Sequence, residues 1–416
     1  MRLPLRATIW INSLLLVLVA ADPTPLRAAA PQDKPLPNAP VPKSLEAKTH
    51  VDRGQALLNA YSAKCGHLSG KCDTAQLDEV VVEANEALRI DPNFPAAHHL
   101  LGGVYNERRQ FDKAIAEFQI AVQLLPQYSG AHYELGMALY DSGNTDAAIP
   151  ELRQAVKLAP DDAQANGELG IALLSQTKFS EATSYLRTAA RLDPKDAKAH
   201  YQLGLALAHD GKSDEAIPEI RESLKLQPDN AEAHYDLGTI YYSKHELEAA
   251  ISELREAARL DPKHERAIEN LANALDDAGY PEEAITQFRK AVKLTPNDAK
   301  LHYNLGMAIE NTGDWDGAIL EYREAKRLGE SGLGLHYHLG YSQDQKGDID
   351  AAILEYRAAI GAAPNNANVH YRLGRDLRDK GDVPGALREL QIASELEPNN
   401  AIYSKALNDL QQQGSH

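Results

Sequence analysis

Histidine recurs along most of the chain at one spacing. His98, His132, His200, His234, His302, His336 and His370 stand 34 residues apart or a multiple of that. A ladder of imidazoles could ligate a metal or relay protons, and both chemistries fail on distance. Equivalent residues of stacked helical units sit on the order of 10 Å apart, since helix axes pack at ~8–10 Å, whereas ligands of one metal need bonds of ~2 Å. The imidazoles are therefore expected to pack between helices, each with one hydrogen bond. Tyr133, Tyr201, Tyr235, Tyr303, Tyr337 and Tyr371 follow six of these histidines directly. Tyrosine joins rigid apolar area to a polar tip, which suits a partner-binding surface. Cys65 and Cys72 are the only cysteines and bracket one loop. They read as a loop-closing disulfide, with metal binding alongside His67 as the weaker rival because no CxxC spacing is present.

The elements that carry these residues repeat. Ser129 to Asp162 reads SGAHYELGMALYDSGNTDAAIPELRQAVKLAPDD, and its wording returns at Ala199, Ala233, Leu301 and Val369. A fixed period of this length marks a solenoid. With Ser129 as first place, His132, Leu135, Gly136 and Leu139 form one stripe of a first helix. Gly143 stops that helix as a left-handed residue, and Thr145 or Asp146 offers the N-cap of a second. The second helix carries Ala148, Ile149, Leu152, Ala155, Val156 and Leu158, and Pro160 closes the unit. Each unit is a helical hairpin.

Nine such units run without insertion: 95–128, 129–162, 163–196, 197–230, 231–264, 265–298, 299–332, 333–366 and 367–400. The seventh place is leucine throughout and the twentieth alanine throughout. The eighth place is glycine in all but the sixth unit, where Ala272 stands. A glycine inside a helix costs about 1 kcal/mol against alanine, so its recurrence needs a close helix contact. On these residues the unit resembles the tetratricopeptide repeat (TPR), whose period is also 34 residues. The resemblance implies an all-α fold, an α-solenoid wound as a right-handed superhelix. It also implies a concave groove lined by the fifth, ninth, twelfth and thirteenth places. Here the fifth place holds the six tyrosines, and the others include Met137, Tyr140, Asp276, Asp277, Met307, Glu310 and Asp344, so the groove would be tyrosine-lined and acidic. The tyrosines read equally as packing against the next unit.

Residues 1–21 carry Arg2 and Arg6, a short apolar run and small residues, the plan of a cleaved export signal, with an uncleaved anchor as the rival. The location implied is periplasmic or secreted. Residues 22–43 hold seven prolines and read as an extended tether or a disordered leader. Residues 44–94 look like an eroded first hairpin around the cysteine loop, and 401–416 like a capping helix that covers the last unit. Pro150 and Pro218 are expected in the first turns of their helices. The link around Gly329, Gly332 and Gly334, which lacks the usual proline, is expected to be the most pliable junction.

A net charge of −17 argues against nucleic-acid partners and against adsorption to anionic lipid, both of which need a basic face. No catalytic constellation, cofactor motif or phosphate-cradling loop stands in the sequence, so no enzyme is expected. Three roles remain: a protein-interaction scaffold that receives an extended or helical segment in the groove, an architectural subunit of an envelope or secretion assembly, and a carbohydrate-binding module using the tyrosines.

Overall fold

The computed structural model describes residues 45–65 and 75–413, and all regular structure among them is helical. The helices fall into two compact units, one ending at Pro228 and one beginning at Asp229. The first holds α1 (Leu45–Cys65), α2 (Gln76–Ile90), α3 (Pro95–Glu107), α4 (Phe111–Leu124), α5 (Ser129–Asp141), α6 (Thr145–Leu158), α7 (Ala163–Ser175), α8 (Phe179–Leu192), α9 (Ala197–His209) and α10 (Ser213–Leu226). The second holds α11 (Ala231–Ser243), α12 (Leu247–Leu260), α13 (Glu265–Asp277), α14 (Pro281–Leu294), α15 (Ala299–Thr312), α16 (Trp315–Arg327), α17 (Leu333–Lys346), α18 (Ile349–Ala362), α19 (Ala367–Asp379), α20 (Val383–Leu396) and α21 (Ala401–Gln413). The expected export signal at 1–21, the tether at 22–43 and the Cys65–Cys72 bridge lie outside the described residues.

Local chemistry sets the hairpin. Gly143 ends α5 at φ +86°, and the same fifteenth place is left-handed in every unit from Pro95 onward. Glycine fills it six times, but Arg109, Thr177 and His245 adopt φ of 55°, 58° and 59° there. The cap of α6 is Asn144, one residue before the expected Thr145 or Asp146, with its side chain accepting from the Ala147 amide. Asp162, Asn230, Asp298 and Asn366 cap first helices in the same way, which accounts for the Asp or Asn closing so many units.

Two expectations about breakers need correction. Pro150 and Pro218 sit past the first turn, inside α6 and α10, on the exposed side. Helices survive there because solvent can satisfy the carbonyl that loses its donor. At the proline-free junction, Gly329 has φ +109° and Gly332 is the cap of α17, but Gly334 is already inside that helix. A Cβ on Gly334 would stand 2.7 Å from the Tyr303 hydroxyl, so this glycine answers a packing demand and leaves only a short link to bend.

Packing within a hairpin rests on the small places. Each twentieth-place alanine, from Ala114 to Ala386, is fully buried, and each seventh-place leucine nearly so. An added Cβ on Gly204 would lie 2.4 Å from Ile220, on Gly136 2.7 Å from Leu152, and on Gly306 2.6 Å from Tyr322. The eighth-place glycine is thus the socket for the large side chain sixteen residues later. Inside each unit, first helices touch first helices of the next hairpin, as α3 with α5 and α13 with α15, while second helices make no comparable contact with one another. First helices therefore line one face, called the inner face below. In α21, Tyr403 and Leu410 turn inward while Lys405, Asn408 and Asp409 are exposed, as a terminal cap requires.

Candidate functional site

The histidine ladder is structural, and its chemistry is richer than packing. In all seven hairpins that carry it, the imidazole Nδ1 meets a glutamate 19 residues later, on the second helix. The pairs are His98–Glu117, His132–Glu151, His200–Glu219, His234–Glu253, His302–Glu321, His336–Glu355 and His370–Glu389, all at 2.6–2.7 Å. His98, His132, His200, His302 and His370 also turn Nε2 to the carbonyl oxygen of the proline six residues before them. That makes two bonds where one was expected. Glu117 beside His98 raises the affinity of that imidazole for its second proton. Both His98 nitrogens then donate, one to a carboxylate and one to a carbonyl.

The same strut identifies the amino-terminal hairpin. His50 on α1 meets Glu83 on α2 at 2.5 Å, with 33 residues between them instead of 19. The hairpin closes like the others, although its two partners stand 14 places further apart in the chain and α1 runs on to Cys65.

The fifth-place tyrosines are wedges between neighbouring hairpins. Tyr133 and Tyr235 keep only 5 % and 8 % of their surface exposed, whereas Tyr201, Tyr303, Tyr337 and Tyr371 are half-buried. The Tyr235 ring lies 4.8 Å from the His264 ring, with the Arg266 guanidinium 5.1 Å from its centroid. The Tyr337 hydroxyl accepts from Asn368 Nδ2 and Arg372 Nε, both at 3.0 Å, and its ring stacks parallel to Tyr341. Tyr371 packs on Tyr403 at 4.9 Å. Apart from the Tyr337–Tyr341 stack, which lies within α17, these contacts run forward to the next hairpin or the cap.

Twelfth-place acids behave differently from the expected groove lining. Glu310 is turned into the joint between α15 and α17, where it accepts from the Tyr322 hydroxyl at 3.0 Å, Ser342 Oγ at 3.1 Å and His338 Nδ1 at 3.1 Å. Asp344 takes the corresponding place one hairpin later, with Arg372 Nη1 4.0 Å away. Glu269, at the fifth place of its unit, is held above the usual carboxylate range by burial, with Lys300 at 3.6 Å working against the shift. Asp276 and Asp277 take Asn311 Nδ2 and the Tyr242 hydroxyl. The sequence reading missed the nineteen-residue partner of each histidine. It was visible as linked change: where the fourth place is Asn166 or Ile268, the partner place is Tyr185 or Gln287.

Among the described residues no group of three or more His, Cys, Asp or Glu is arranged to hold a metal ion. No helix among them is long and apolar enough to cross a membrane.

Comparison with known proteins agrees with this architecture. Residues 39–270, more than half of the chain, match the family model described as the C-terminal domain of cilia and flagella-associated protein 70. Residues 269–332 and 333–366 match two tetratricopeptide repeat models. The chain belongs to the tetratricopeptide repeat family, in the form of the repeat domain that the first of these models describes. Such domains generally bind proteins or peptides, their fold is generally a non-catalytic scaffold, and the chain is a protein-interaction scaffold in that general sense. Similar solved structures include YrrB, a TPR protein with an unusual peptide-binding site (23% identity, 44% of this chain and 95% of that one, TM-score 0.43). MamA is similar at 26% identity (40% and 97% covered, TM-score 0.38), and pilF of Pseudomonas aeruginosa at 21% (52% and 97% covered, TM-score 0.42). No curated protein matches the chain.

Proposed function

We propose that the chain is a non-enzymatic scaffold that receives an extended or helical segment of a partner protein along its inner face. The observation that carries this reading is the cluster of Tyr337, Tyr341 and Arg372, where a guanidinium lies 4.4 Å from the Tyr341 centroid and two half-buried rings stack beside it. Tyrosine and arginine in one partly desolvated cluster are the residues that anchor protein interfaces most often. In this reading the nine units at 95–400 form the binding body. The leader at 1–21 directs export, 22–43 tethers the body, and Cys65 and Cys72 close their loop as a disulfide. No cofactor takes part.

The architectural role keeps one specific support. Leu320 and Leu354 occupy the same place on α16 and α18 and are 67 % and 66 % exposed, so the opposite face carries an apolar pair. The carbohydrate reading loses support, because the Tyr235 ring that would stack on a sugar is already covered by His264 and Arg266. Photo-crosslinking with a reactive residue at Tyr341 or at Leu354, followed by mass spectrometry, tests the assignment. Partner crosslinks at Leu354 alone overturn it.

A further inference from the structure

The tenth place of the unit belongs to the core. It is Val104, Ala138, Ala172, Ala206, Ile240, Ala274 and Ala308 in successive hairpins, all of them buried. Ser342 then appears, and its hydroxyl is used by Glu310. Asp376 follows, with 0 % of its surface exposed and neither carboxyl oxygen in a hydrogen bond among the described residues. Asp344 Oδ2 and the Tyr356 hydroxyl, also buried, lack hydrogen-bond partners as well.

These groups occupy the places of the joint one hairpin earlier, with the tyrosine kept and the other three residues changed. There, Glu310, Tyr322, His338 and Ser342 satisfy one another. Here the equivalent places hold Asp344, Tyr356, Arg372 and Asp376. Asp344 is one methylene shorter than glutamate and leaves the tyrosine hydroxyl unbonded, and a carboxyl has replaced the serine hydroxyl.

Charge decides what state such a cluster can hold. Asp344 and Arg372 offset each other, leaving the Asp376 carboxyl as the surplus group. The other groups bearing on Asp376 are Arg375 and Asp379 of its own helix, one of each sign. Tyr356 approaches from α18, and Tyr337 and Tyr341 of α17 are engaged with Arg372. On α20, Glu389 is held by His370 and Arg388 is exposed, while Tyr403 of α21 is engaged with Tyr371. None of these supplies Asp376 with a donor. An ionised carboxylate buried without a donor is costly, and one proton removes the charge and adds an O–H for the surrounding acceptors.

We propose that the joint between α17 and α19 is a proton-operated latch, closed while Asp376 is protonated and loosened when its proton leaves to solvent. Burial, with Asp344 adding to it, pushes the Asp376 carboxyl up to about 7 from an ordinary 3.8. A raised acid favours the closed joint fully below the ordinary value, and that advantage is lost as pH rises toward the raised one, with little further change above it.

Hydrogen exchange on the full chain, corrected for the intrinsic rate, tests the latch. Amide protection in α17 and α19 is expected to fall by up to ~10-fold per pH unit between about 5 and 6.5 and to level off above about 7.5. Protection in α7 and α8, whose hairpin has Asn166 and Tyr185 in place of the histidine–glutamate pair, serves as the internal reference and should lack this slope. Asp376→Asn, neutral at every pH, should give a flat profile, and Asp376→Ser, which copies Ser342, should do the same should the first variant fold poorly. A flat profile in the unaltered chain, or an unchanged slope in a folded variant, overturns the proposal.

Discussion

His370 Nδ1 lies 2.6 Å from Glu389 Oε2 while its Nε2 lies 2.8 Å from the Pro364 carbonyl oxygen, so one side chain ties both helices of a hairpin to the turn that precedes it. Hydrogen bonds to charged groups contribute about 1.5–3 kcal/mol when partly buried. A double-mutant cycle of His370→Ala and Glu389→Ala is expected to show a coupling of about 1–2 kcal/mol in chemical denaturation. Additive single losses would reduce the pair to a contact without energy.

Hairpin periodicity was legible in the sequence because backbone geometry and core packing make the same demand in every unit. Leucine at the seventh place, glycine at the eighth and alanine at the twentieth answer it each time, and the helices fall where the stripes put them. What stayed hidden depends on reach. Glu310 satisfies its joint and Asp344 does not, a difference of one methylene that a pattern of acidic places cannot express. The tyrosines were legible as a stripe beside the core. Which of them are covered follows from second-place residues of the next hairpin, such as Arg266 over Tyr235 and Gly334 against Tyr303.

Left-handed places give a stabilisation test. Arg109, Thr177 and His245 hold φ near +57° where six other hairpins use glycine. The conformation costs a side-chain-bearing residue about 1–2 kcal/mol, partly offset by the extra unfolded-state entropy of glycine. Thr177→Gly is expected to gain the most, since a β-branched residue fits this region worst, with about 0.5–1 kcal/mol net. The midpoint of urea unfolding measures it. A lower midpoint for all three glycine variants would contradict the account.

Sockets at the eighth place predict a rank order. Gly204→Ala puts a methyl 2.4 Å from Ile220 Cγ1, whereas Gly340→Ala puts one 3.1 Å from the edge of the Tyr356 ring. Overpacking typically costs 1–3 kcal/mol, so Gly204→Ala should fall near the top of that range and Gly340→Ala well below it. Ile220→Ala, which removes the Cγ1 that the new methyl meets, should cost less in the Gly204→Ala background than in the unaltered chain. Equal thermal shifts for the two alanine variants would refute the close-contact explanation.

Acidity enters at the amino-terminal end through His98. Its bond to Glu117 raises the folded-state proton affinity above the ordinary 6.5. The contribution to stability is therefore complete below about pH 6.5 and is lost as pH rises through the raised value. Hydrogen exchange of α3 and α4 between pH 5.5 and 8.5 should show this loss, and Glu117→Gln should flatten it. The direction is the same as for Asp376, but here the protonated form gains a partner instead of escaping a buried charge.

The inner face is tested at Tyr341. Its ring is half-buried, stacks on Tyr337 at 6.4 Å, meets Trp315 edge-on at 5.8 Å and lies beneath Arg372. Unlike Tyr235, it retains surface for a partner, whereas the Tyr337 hydroxyl is engaged by Asn368 and Arg372 of the next hairpin. Truncating an interface anchor typically costs ~2 kcal/mol, so Tyr341→Ala should weaken partner binding by about 30-fold. Leu354→Ser, on the opposite face, should leave binding unchanged. Melting curves of both variants separate lost contact from lost fold, because weakened packing against Trp315 would lower the melting point of the free chain. If Leu354→Ser weakens binding and Tyr341→Ala does not, the partner lies on the outer helices, and the exposed Leu320 and Leu354 pair becomes its seat.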